Sequence, residues 1–113
     1  MQKYNIYDFL EYGEEKVKVT PMLETPSSKE IRIVFKQGQI MKDHSTAFPI
    51  TVEIFEGEID FGVGEKIYTL VKGDIVSLEP KIVHNLKANA DSIVRLTLSK
   101  DDSLHRVKSV LKL

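Results

Sequence analysis

Two stretches decide how this chain folds: GQIMKDHSTAFPITVEIFEG, from Gly38 to Gly57, and GDIVSLEPKIVH, from Gly73 to His84. Each opens on a glycine, carries short runs of β-branched or aromatic residues, and brings one histidine, His44 or His84, close to a turn. Residues 50–55 have strand composition and stop at Glu56-Gly57. Between the two stretches, residues 58–63 and 66–71 flank Gly64-Glu65, which predicts a β-hairpin. Residues 75–78 form a short strand after the Lys72-Gly73-Asp74 turn. Residues 85–88 and 92–98 flank Asn89-Ala90-Asp91 and are expected to pair.

Working outward toward the N-terminus, Ile31, Ile33 and Phe35 alternate with Arg32 and Val34 in a strand that ends at Gln37-Gly38. Thr25-Pro26-Ser27-Ser28 is a turn cluster. Val17, Val19 and Met22, interleaved with Lys18 and Thr20, predict a strand that Pro21 confines to a sheet edge. Asn5 with Asp8, the apolar face of Ile6, Phe9 and Leu10, and Gly13 beyond predict a short N-terminal helix. Tyr4, Tyr7, Phe9 and Tyr12 are expected to pack that helix onto the body. In the other direction, residues 101–113 place Leu104, Val107, Val110 and Leu111 at helical spacing, with two aspartates early and Lys108 and Lys112 late. A C-terminal amphipathic helix is expected there, with His105 on its polar side. Short strands at near-regular spacing predict an all-β sandwich or barrel.

Composition narrows the chemistry. At 113 residues and 42% hydrophobic, the chain suits one compact domain. It has no cysteine, so thiolate metal sites, disulfides and thiol nucleophiles are excluded, and His, Asp, Glu and hydroxyl groups remain. Sixteen basic against 17 acidic residues leave no basic surface for nucleic acid. No apolar run is long enough for a membrane span or a signal-peptide core, so the expectation is a cytoplasmic protein without a membrane partner.

The Gly38 to His84 region resembles the small single-domain cupins, a double-stranded β-helix (jelly-roll) family whose two motifs supply metal ligands from the barrel interior. In that family's first motif, outer glycines frame a His-x-His pair and a glutamate. Gly38 and Gly57 match the glycines and His44 the first histidine, while Thr46 stands at the second histidine and Ile50 at the glutamate. In the second motif Gly73 and Asp74 match the opening and His84 the histidine. Glu79, Lys81 and Ala88 replace the usual proline, glycine and asparagine. The resemblance implies a single cupin domain over residues 1–113: a barrel core over about 30–98, an arm over 1–29 and a helix over 101–113.

It also implies a ligand pocket lined by His44, Thr46, Ile50 and His84, with the metal positions reduced to His44 and His84. Zinc, nickel, iron or manganese would be held there weakly or not at all, because stable transition-metal sites use at least three protein donors. If the strand ran unbroken, residues 44, 46, 48, 50 and 52 would share one face; Ile50 would point inward, and Asp43 and Glu53 outward. Both histidines are expected at the open end of the barrel, where truncation leaves little void. Lys81 is expected beside them at the cavity mouth.

The leading functional reading is a barrel binding a small molecule, a sugar or anionic metabolite, around the two histidines. The alternative is an enzyme of isomerase, epimerase or dioxygenase type, metal-dependent or metal-free, using His44 and His84. Cupins commonly dimerise through their sheets, so the resemblance also implies a homodimer.

Overall fold

The computed structural model describes residues 1–100. The expected C-terminal helix and His105 lie outside the described residues. Nine strands follow one another: β1 Lys18–Glu24, β2 Ser28–Phe35, β3 Ile40–His44, β4 Ile50–Glu56, β5 Glu58–Val63, β6 Lys66–Val71, β7 Ile75–Leu78, β8 His84–Ala88 and β9 Ser92–Ser99. They form two antiparallel sheets, one of five strands in the order β1-β2-β9-β4-β7 and one of four in the order β3-β8-β5-β6. From β2 onward the chain crosses between sheets at almost every connection. The exception is the predicted hairpin β5–β6, which closes with Val63 opposite Lys66. This is a double-stranded β-helix.

The period-two pattern explains which side chains meet in the middle. Ile31, Ile33 and Phe35 from β2, Ile50, Val52 and Ile54 from β4, Ile59 and Phe61 from β5, and Leu86 and Ala88 from β8 form one core. At the β4–β5 crossover Gly57 has φ 91°, and a Cβ there would lie 2.2 Å from Ser92 Oγ and 2.5 Å from the Asp91 carbonyl oxygen. Only glycine permits that approach. Pro21 sits on the edge strand β1, where the register breaks between Pro21 and Leu23.

Two expectations about neighbours are corrected. β8 and β9 do not pair: Asn89-Ala90-Asp91 is a crossover, which puts β8 between β3 and β5 and β9 between β2 and β4. Both strands are buried against different sheets, and that packing outweighs their proximity in sequence.

The N-terminal helix is also absent. Its expected start is present, since Asn5 Oδ1 accepts from the Tyr7 amide at 2.9 Å and Asp8 Oδ2 from the Asn5 amide at 3.2 Å. Residues 6–9 nevertheless form only a turn, and Phe9 has φ 55°. The carbonyls of Ile6 and Asp8, which a helix would spend on later amides, both accept from Arg32 Nη1 at 2.7 Å. Arg32 is 2% exposed beneath this arm, so burying it is compatible only with partners of this kind. Tyr7 does pack as expected, edge-on to Phe55 with centroids 5.6 Å apart, and donates to Glu56 Oε1 at 2.7 Å. Phe9 does not pack: it is 91% exposed.

Candidate functional site

His44 ends β3 and His84 begins β8, and the two residues are paired across the strands. A regular β3 would point Met41 and His44 to opposite faces. Here the register slips between them, so one strand's extra residue is absorbed, with Met41 opposite Leu86 and His44 opposite His84. Met41 packs against the core and His44 lies against His84. Asp43 falls within the slip and accepts from Asn85 Nδ2 at 2.8 Å.

The imidazole centroids are 4.3 Å apart, with the rings tilted by 59°. On its other side His84 stacks nearly parallel to Phe61, with centroids 5.6 Å apart and 13° between planes. His44 Nδ1 is 2.7 Å from the Lys42 carbonyl oxygen, and His84 Nδ1 is 2.9 Å from that of Ile82. A carbonyl only accepts, so each Nδ1 carries the proton and donates. In the neutral ring each Nε2 is then a bare lone pair. No protein group among the described residues bonds either Nε2. The one sealed-off nitrogen or oxygen lacking a partner there is Arg32 Nε, so neither Nε2 is closed away from a ligand. Burial pulls the His84 pKa below its ordinary value, with the neighbouring His44 a smaller contribution in the same direction. The hydrogen bond to Ile82 and the charge of Asp43 oppose it.

The structure brings together two of the four residues expected to line the pocket. Thr46 is outside the barrel wall, because the strand is interrupted between His44 and Ile50. Its hydroxyl donates to the Phe48 carbonyl at 2.8 Å, and its own carbonyl accepts from the Lys81 amide at 2.8 Å, tying the two loops beside the histidines. The unbroken-face argument therefore does not hold for residues 45–49. Ile50 does point inward, but as a core residue 3% exposed. His84 is 4% exposed, so it is not a rim residue whose truncation leaves little void. Phe61 and Val63, which flank His84, were not singled out as site residues; nothing in a strand's composition marks which aromatic will stack on a distant imidazole.

Two cavities lie in this region; His44 lines the first, and neither histidine lines the second. A groove of about 670 Å³ along the free edge of β3 is lined by His44 with Val17, Gln39 and Met41, and by Glu15, Lys16 and Lys42 at its outer side. A narrower, apolar pocket of about 260 Å³ opens between the edge strands β6 and β7 and is lined by Phe61, Val63, Leu70, Val76 and Leu78, among others.

The site was also tested against the divalent metal that the resemblance implies. Among the described residues no three His, Cys, Asp or Glu side chains converge. The position where a carboxylate would stand is Ile50, packed in the core, and Asp43 is engaged by Asn85. Two neutral imidazoles fall short of the donor number and of the charge that a resident divalent ion needs, so the described residues do not fit it.

A double-stranded β-helix with an imidazole pair inside its smaller sheet is a cupin-fold barrel. Solved structures agree on the fold. An RmlC-like cupin protein from Desulfovibrio desulfuricans superposes with a TM-score of 0.80 at 20% identity, over 88% of this chain and 96% of that one. A cupin superfamily protein from Desulfitobacterium hafniense gives 0.76 at 14%, over 83% and 86%. KdgF from Halomonas sp. gives 0.70 at 15%, over 86% and 94%. No protein-family model and no curated protein matches the sequence. None of the described helices or turns is long and apolar enough to cross a membrane.

Proposed function

We propose that this chain is a small-molecule-binding barrel in which His44 and His84 form the polar anchor and the surrounding apolar walls receive the body of the ligand. The observation that carries this reading is the open Nε2 on each of two adjacent rings, both held in one tautomer by main-chain carbonyls, with no protein group among the described residues using either. Both atoms remain open to a ligand, and no group among the described residues bonds either of them. Among the described residues no carboxylate is hydrogen-bonded to either ring, Asp43 being engaged by Asn85, which sets binding ahead of acid–base catalysis.

A thermal-shift screen of small metabolites tests it, with zinc, nickel, iron and manganese as separate arms. An organic ligand at about a hundred times its dissociation constant adds about 2.7 kcal/mol. In a chain of this size the midpoint rises by several degrees, and the rise is lost in His44→Ala. A rise with one stoichiometric metal and with no organic compound would contradict the reading.

A further inference from the structure

We infer that the imidazole pair selects a neutral ligand bearing a hydrogen-bond donor, a hydroxyl or an amide N–H, and discriminates against anions; the inference rests on the small-molecule reading above. Main-chain carbonyls at 2.7 and 2.9 Å take the Nδ1 proton of both rings, so the pair turns toward a ligand two acceptors and no donor. Ring centroids 4.3 Å apart keep the two acceptors within one site. Each O–H or N–H of a ligand satisfies one of them. A carboxylate or phosphate would set its own lone pairs against them, and it would be accommodated only by charging one ring of the pair beside its neighbour, His84 being almost fully buried against Phe61.

Lys16 and Lys42 line the β3 groove together with Glu15, so its outer rim is not of one sign. Met41 and Val17 beside His44, and Phe61 and Val63 beside His84, are apolar. The groove of about 670 Å³ that His44 lines falls within the range for small-molecule sites, roughly 300–1,000 Å³. Of the two ligand classes expected at these histidines, a sugar or an anionic metabolite, this chemistry favours the neutral, hydroxyl-bearing one.

Three probes of nearly equal shape test this on the full chain at about pH 8, where imidazoles are neutral. They are phenol, which donates; anisole, whose oxygen is methylated; and benzoate, which is anionic. The readout is the ring-nitrogen shift of each histidine in long-range ¹H–¹⁵N spectra. Phenol is expected to move the Nε2 signals of His44 and His84, and to bind at least about tenfold more tightly than anisole or benzoate, since a buried acceptor left unpaired costs on the order of 1–3 kcal/mol. The response of His84 should be lost in His44→Ala. Benzoate or anisole binding at the imidazoles as tightly as phenol would overturn the inference while leaving the binding reading intact. If none of the three moves either Nε2, the imidazole pair is not a ligand anchor, and both the reading and the inference fall.

Discussion

At the scale of single residues, His84 carries the account. It is buried, stacked between Phe61 and His44, and its pKa is depressed chiefly by that burial. A base whose folded pKa lies below its unfolded value of about 6.5 leaves more protons on the unfolded chain through the interval between the two. Its contribution is therefore fully present above about pH 6.5 and is lost as pH falls through the folded pKa. Chemical denaturation from about pH 8 down to about pH 5 should show stability falling in that window, and the fall should shrink in His84→Gln. A wild-type profile that is flat there would contradict the burial argument. The exposed carboxylates held low by lysines, Glu11 by Lys18 and Glu24 by Lys100, titrate in the more acid carboxylate range and do not produce this step. The two histidines were legible in the sequence because the motif glycines anchor their positions. Thr46 was misplaced because a one-strand parity count cannot see that residues 45–49 leave the sheet.

At the scale of elements, the N-terminal arm shows how a local signal loses to a tertiary one. Residues 5–8 contain a proper capping pair, and both of its hydrogen bonds form. What they cannot reveal is that Arg32, on a strand far along the chain, needs the Ile6 and Asp8 carbonyls. The alternation of residues 31–35 predicts the strand that forms, but it implies an exposed Arg32; the arm lies over Arg32, and Val34 on the same face is buried as well. Arg32→Leu should therefore release the arm rather than open the barrel. Hydrogen bonds to charged groups contribute about 1.5–3 kcal/mol each, partly offset here because the variant also removes a buried charge. The expected loss is about 2 kcal/mol, with amide exchange at residues 8–10 accelerated and exchange in β4 and β9 little changed. Equal acceleration in the arm and in β9 would show that Arg32 supports the sheet itself.

At the scale of the whole molecule, the fold was legible because three independent signals agree: short β-branched runs, glycines where the chain changes sheet, and motif spacing. Strand partners were less legible. The pairing expected of β8 with β9 failed because in a double-stranded β-helix sequence neighbours are shared between opposite sheets, and only the global closure decides which strand lies beside which. The slip in β3 that turns His44 inward was equally hidden, since no glycine or proline in Ile40–His44 announces it. The function argued above depends on that closure bringing together two histidines remote in sequence. The most direct measurement is a nuclear Overhauser spectrum of the imidazole ring protons in the full chain. Rings with centroids 4.3 Å apart should give cross-peaks between His44 and His84, and from His84 to the Phe61 ring. If His84 contacts Phe61 but shows no cross-peak to His44, the barrel stands and the paired site does not.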